Sequence, residues 1–225
     1  MIDLSKQQPF AIGGRRECYI HPEFPDRCLK VTREEFSPAK LRKQSGFLRS
    51  LRKSEGDFNE NVSDFRTLRK LEKSGDPDIW NHLPKCFGWD PTTRGNALSV
   101  ELFRDYDGLI SRSLLDQLTR HGMDDRLQSA ISKFCDFWKS RTIASRDLGL
   151  HNIVVNKPSH DHYSLKLIDG FGSTQSPFLP RIYPAATRRR SVRKADRLQG
   201  EIKALLACPD AASKTIDRGV LLRRS

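Results

Sequence analysis

Four polar residues around the middle of the chain have the types and spacing for phosphoryl transfer. In "SRDLGLHNIVV", residues 145–155, Arg146, Asp147 and Asn152 lie on a short polar loop that runs into Ile153, Val154 and Val155. Asp169 closes the next apolar run, in "IDGFG". Moving a phosphoryl group requires clamped phosphates, a divalent metal held between them and an attacking hydroxyl positioned in line. Hard Mg²⁺ takes oxygen ligands, which Asn152 and Asp169 can supply from the ends of adjacent strands. Asp147, five residues before Asn152 on the same loop, is placed to accept or orient a hydroxyl proton. Lys30, between Leu29 and Val31, puts an ammonium inside an apolar strand, where it needs an anionic partner. Asp64 or Glu60, on a helix, is that partner, and Lys30 is then directed at nucleotide phosphates. The bland readings are turn and cap roles for Asp147 and Asn152 and a snorkelling edge-strand Lys30.

These residues need elements to hold them. Residues 8–33 read as an antiparallel meander, "PFAIG", "CYIH" and "RCLKV", with Gly13 and Gly14 at the first turn. Residues 34–58 are basic and broken by Pro38, Gly46 and Gly56, and read as a mobile or partly helical insertion. From Asn61 to Lys73, Val62, Phe65, Leu68 and Leu71 recur at helical spacing, and Gly75 and Pro77 stop the helix. "PKCFGW" and "NALSVELF", joined by "DPTTRG", read as a hairpin. The second half turns helical: "SRSLLDQLTRHG", then "DDRLQSAISKFCDFWKSRT", where Asp124 or Asp125 is the cap and Leu127, Ile131, Phe134 and Trp138 line a core face. "NIVV" and "YSLKLI" are strands joined by "NKPSHDHY", and Val192, Ala195 and Leu198 mark a basic helix near the end.

The chain has 225 residues, 36% of them hydrophobic, enough for a core in one domain or two small lobes. Forty Lys and Arg against 28 Asp and Glu give a net charge of +12, which points to an anionic partner. The run from Arg188 to Arg197 is an ordinary solvated helix face or a dock for an acidic partner; no aromatic residue interleaves with it, so nucleic acid is disfavoured. Five scattered cysteines with no C-x-x-C pair fit reduced thiols, mostly small core residues. No apolar run reaches the roughly 18–20 residues of a membrane span, and "MIDLSKQQPF" lacks the pattern of a secretory signal, so a cytoplasmic protein is expected. The "SHDHY" cluster, with His160, Asp161 and His162, offers only a local imidazole pair for a transition metal. His151 is a lesser candidate for substrate contact.

Taken together, "SRDLGLHNIVV" resembles the catalytic loop of protein kinases and related small-molecule kinases, "IDGFG" their metal-binding turn and "CLKV" their lysine strand. More narrowly, "IDLS", "GGRRECYIHPEFPDRCLKV" and the compact ending resemble the bacterial YrbL family of PhoP-network proteins over most of the chain. The resemblance implies an α+β, two-lobed protein-kinase-like fold. Its N-lobe, residues 1–102, would be a small antiparallel sheet plus one helix. Its C-lobe, residues 103–225, would be compact, truncated and helical, with nucleotide in the cleft around "ELFRD" at residues 101–105. It also implies ATP and Mg²⁺ as cofactors. Asp147 would be the base and Arg146 its brace; Asn152 and Asp169 would be the metal ligands. Lys30, Asp64, Gly13, Gly14, Arg15 and Glu101 would contact the nucleotide, Asp64 being preferred to Glu60 because Leu68 and Leu71 follow it at the family's spacing. The acceptor would be an unknown small molecule or protein, in bacterial stress or envelope regulation.

The sequence also departs from the kinase pattern. Gly13 and Gly14 are adjacent and Cys18 holds the later glycine position, so Arg15 and Arg16 are expected to help hold phosphate. Ser145 stands where a histidine is usual, an extra Gly170 follows Asp169, Asp64 is a methylene shorter than glutamate, and no A-P-E segment follows. A general protein kinase is thereby disfavoured. The rival is a catalytically inactive pseudokinase acting as a regulatory binding module.

Overall fold

The structure is a computed structural model that describes residues 1–36, 59–141, 143–172, 184–208, 220–222 and 225. Apart from a 3₁₀ turn at Glu34–Phe36, the insertion expected at 34–58 lies outside the described residues. The described residues carry nine strands and four α-helices, an α+β arrangement. They divide into two compact units. Gly75–Pro84, which the sequence places before the boundary at residue 102, packs within the second unit.

In the first unit the expected meander is β1 (Ala11–Ile12), β2 (Arg16–Ile20) and β3 (Arg27–Thr32). The hairpin is β4 (Cys86–Thr92) and β5 (Gly95–Glu101). With β9 (Val220–Leu221) they form one six-stranded sheet, ordered β4-β5-β3-β2-β1-β9. The hairpin turn is tighter than "DPTTRG" suggested, because Asp90, Pro91 and Thr92 stay in strand register opposite Ala97, Asn96 and Gly95. Proline is tolerated because β4 is an edge strand, and the Pro91 carbonyl accepts from the Ile2 amide at 2.8 Å. One face of the sheet buries Leu4, Tyr19, Leu29, Val31 and Ala97 together. Helix α1 (Glu60–Glu72) belongs to the same unit, and its fully buried residues are Asn61, Asp64 and Leu68. Only Leu68 of the apolar line read from the sequence is fully buried, and the rest of that inward face is polar.

In the second unit, β6 (Arg112–Ser113), β7 (Ile153–Ser159) and β8 (His162–Leu167) make a three-stranded antiparallel sheet. Arg112 and Ser113, read as the start of a helix, pair instead with Val155 and Val154. The Ser113 hydroxyl then caps α2 (Leu114–His121), accepting from the Asp116 amide at 3.1 Å. Helix α3 (Asp125–Ser140) is capped by Asp124, whose carboxylate accepts from the Leu127 amide at 2.7 Å. Its Leu127, Ile131, Phe134 and Trp138 are buried as the periodicity required, and it packs against β8 and α4 (Pro184–Ala207). Buried Asp105 fixes the chain entering this unit, accepting from the Ser111 hydroxyl at 2.7 Å and the Lys157 amide at 3.1 Å. Among the described residues no helix is long and apolar enough to cross a membrane.

Truncating Leu127 to Ala removes a fully buried side chain and is expected to cost about 2–5 kcal/mol, while Asp124→Ala loses only the cap, about 1 kcal/mol. Denaturant midpoints of the two variants check this order.

Candidate functional site

The chemistry-bearing residues fall into two groups, one in each unit. In the first unit, the β2–β3 register sets Cys18 opposite Lys30 and Arg16 opposite Thr32, so Arg16, Cys18, Cys28 and Lys30 share one face. Helix α1 brings Asn61 and Asp64 to that face. The Arg16 guanidinium donates to Asp64 at 2.7 Å and to the Asn61 side-chain oxygen at 2.9 Å, and the Asn61 amide donates to the Lys30 carbonyl at 2.8 Å. Arg16 and Asp64 are 5% and 0% exposed, so neither charge tolerates loss of the other. Lys30 is buried beside them. Burial pushes its ammonium below the ordinary lysine range, and the Arg16 charge pushes the same way; Asp64 opposes both. The Cys18 thiol is held below its usual range by a hydrogen bond from Cys28, with Lys30 and Arg16 assisting.

The sequence reading set Asp64, in preference to Glu60, against Lys30; Asp64 is buried on α1, where it also meets Arg16. Arg16, expected on the phosphate loop, is turned inward onto Asp64. Arg15 stays exposed, 3.4 Å from Glu60. The Gly13 amide donates to the Arg16 carbonyl at 2.8 Å, closing the hairpin turn. Glu101, at the end of β5, accepts from the Lys85 amide at 3.1 Å.

In the second unit the polar loop and the acidic turn are joined backbone to backbone. The Arg146 amide donates to the Gly170 carbonyl at 2.6 Å, Gly172 to Ala144 at 3.0 Å, and Ile168 to the Asn152 carbonyl at 2.8 Å. Ser145 and Phe171 form a β-bridge between them. These contacts bring Asp147, Asn152 and Asp169 into one locus. The Arg146 guanidinium stands 3.9 Å from the Asp169 carboxylate. Gly170 has φ +83°, and a Cβ there would lie 2.9 Å from the Asp147 carbonyl oxygen and 3.5 Å from the Asn152 amide nitrogen. The extra glycine is thus what lets the two loops touch. A Cβ on Gly149 would meet Asp147 Oδ2 at 2.8 Å and the His151 ring at 2.7 Å, so a side chain there would make those two side chains move.

One residue outside every motif completes the locus. Lys194, half-buried on α4, donates from its ammonium to both the carbonyl and the hydroxyl oxygen of Ser145, the latter at 3.1 Å. Burial lowers its pKa, and the Asp147 carboxylate partly restores it. The donor set of one carboxylate, Asp169, and one amide oxygen, Asn152, suits a Mg²⁺ ion whose remaining ligands are water and substrate phosphate.

The family described as PhoP regulatory network protein YrbL matches residues 2–203. The chain belongs to this family. YrbL of Escherichia coli (strain K12) is 23% identical over 205 residues, 88% of this chain and 84% of that protein, and YrbL of Shigella flexneri matches equally. Among solved structures the chain is similar to Rad53 in complex with AMP-PNP and to WbdD, each at TM-score 0.44 and 15% identity. It covers 86% and 93% of its own length in those two comparisons but only 45% of either structure. Within this YrbL-family chain, the loop with Arg146, Asp147 and Asn152 adjoins the turn with Asp169 through backbone bonds. Sequence reasoning missed Lys194, Gly149 and the inward turn of Arg16. For Lys194 the one available signal was Ser145, a small hydroxyl where a larger side chain was expected.

Two substitutions test these dependencies. Asp64→Asn removes the carboxylate that faces buried Arg16 and Lys30 and is expected to cost about 3–5 kcal/mol. Gly170→Ala should cost roughly 1–3 kcal/mol and speed hydrogen exchange at the Arg146 amide as the loops part. Unfolding midpoints and amide exchange report both.

Proposed function

We propose that the protein is a cytoplasmic, kinase-like phosphotransferase that binds ATP with Mg²⁺ and transfers the terminal phosphoryl group to a hydroxyl acceptor. The observation behind this reading is the convergence of Asp147, Asn152 and Asp169 through the Arg146–Gly170 and Ile168–Asn152 backbone bonds. In this reading the acceptor oxygen bonds to the γ-phosphorus as the bond to the β–γ bridging oxygen breaks, ADP leaves, and the hydroxyl proton passes to Asp147. Asn152 and Asp169 hold the metal, and Arg146 keeps Asp169 turned toward its neighbours. Mg²⁺ bound there supplies charge neutralisation for the transferring group. Lys30, with Arg15 and the Gly13–Gly14 turn, serves the nucleotide phosphates, and Glu101 the nucleotide on the β5 side. We assign such an activity to bacterial stress or envelope regulation, a reading supported by the family's description as a PhoP regulatory network protein.

A second reading, a pseudokinase that binds partners without turnover, is favoured by the Arg16–Asp64 pair. Arg16 shares the Asp64 face of α1 with Lys30, and burial lowers the pKa of the Lys30 ammonium, which weakens it as a phosphate clamp.

Titration of ATP with and without Mg²⁺ separates the alternatives. The phosphotransfer reading expects Mg²⁺-dependent binding that Asp169→Ala weakens about a hundredfold or more, and hydrolysis that Asp147→Asn lowers by a similar factor. Mg²⁺-dependent binding with no turnover against a broad acceptor panel supports the pseudokinase; no binding by the wild type sinks the phosphotransfer reading.

A further inference from the structure

The basic C-terminal helix is more than a solvated face along one of its edges. Helix α4 buries Ser191, Ala195, Leu198 and Ile202, which fixes its rotation. One residue before each of the first three stand Arg190, Lys194 and Arg197, at i, i+4 and i+7, so they form a single strip bordering the buried face. The middle residue of that strip is tied to the polar loop, since Lys194 donates to both oxygens of Ser145, two residues before Asp147. The strip therefore runs along the loop that carries Asp147. Electrostatics agree with this placement: the Asp147 carboxylate acts on both Lys194 and Arg197, and Arg190 acts on Lys194.

We propose that Arg190, Lys194 and Arg197 form the acceptor-side anion site, so that the molecule phosphorylated at Asp147 already carries a phosphate group next to its reacting hydroxyl. This rests on the phosphotransfer reading and names the substrate class for it. A phosphate monoester presents three terminal oxygens, enough to accept from one ammonium and two guanidiniums together, whereas a carboxylate presents two. The strip also has to offset Asp147 itself, whose negative charge would otherwise repel an anionic acceptor. Glu201, 2.8 Å from Arg197, is the acidic end of the strip; Arg197 is 76% exposed, so this pair is weak and its guanidinium can turn to a bound phosphate. Lys194, half-buried and bonded to Ser145, is the fixed point of the strip.

The test titrates inorganic phosphate into the full chain, following the arginine side-chain N–H resonances, in wild type, Arg190→Gln/Arg197→Gln, Lys194→Arg and Asp169→Ala. The double variant is expected to bind phosphate at least about tenfold more weakly, while Lys194→Arg and Asp169→Ala keep it. Equal affinity in wild type and the double variant overturns the site, as does loss of phosphate binding in Asp169→Ala instead. Acetate competing as well as phosphate overturns the assignment to a phosphate group. Mg²⁺-dependent ATP binding in the same samples is read separately: it should fail in Asp169→Ala and survive in the double variant. Its absence from the wild type would remove the phosphotransfer reading, while the phosphate series still decides the anion site.

Discussion

The second unit depends on a short stretch of backbone pairing between two loops that carry an acidic side chain each. Asp147 and Asp169 carry like charges, and bringing carboxylates together in a partly buried place is unfavourable unless something else fixes them. The bridge between Ser145 and Phe171, with the amide bonds of Arg146 and Gly172 on either side, supplies that fixation. It holds because Phe171, Ile153 and Leu167 are all fully buried, so neither loop can slide without exposing an aromatic ring or a strand end. Arg146 contributes twice, through its amide to Gly170 and its guanidinium beside Asp169. The polar side chains are passengers on an apolar lock.

The first unit solves the opposite problem, cations gathered under a sheet. Arg16, Lys30 and the Cys18–Cys28 pair share a face, and α1 answers with Asp64 and Asn61 rather than with apolar side chains. This is why the periodic Val62, Phe65 and Leu71 are only partly buried while two polar residues are fully so. A helix facing buried guanidinium must present an acceptor, and each acceptor it presents displaces a hydrophobic contact.

What could be read from sequence divides along the same line. Strands with β-branched runs, the capped helix with Leu127, Ile131, Phe134 and Trp138, and the order of loop, strand, turn and acid were legible because local spacing encodes them. The relation of Asp147, Asn152 and Asp169 was legible through their flanking strands, since Ile153 pairs with Leu167 and carries the loop to the turn. That Arg16 also reaches Asp64 was not, because Arg16 and Lys30 both face α1 and nothing in the spacing ranks them. Lys194 was hidden for another reason: its helix looks amphipathic and basic on its own, and only the tertiary fold tells which of its many cations touches another element.

Three departures from the kinase pattern prove to have partners. Ser145 is small and offers two oxygens, and Lys194 fills the space with an ammonium that uses both. Gly170 leaves out a Cβ where the Asp147 carbonyl approaches. Arg16 occupies the carboxylate of Asp64, which a shorter acid can offer to it without reaching further along the sheet. Stability alone does not call for such pairs, since an ammonium or an ion pair removed from water is commonly replaced by apolar side chains at little cost or some gain. Half-buried Lys194 beside a polar loop and fully buried Arg16 beneath a sheet are therefore charges that packing alone does not call for, and each is held by oxygen acceptors, Ser145 for the one and Asp64 with Asn61 for the other.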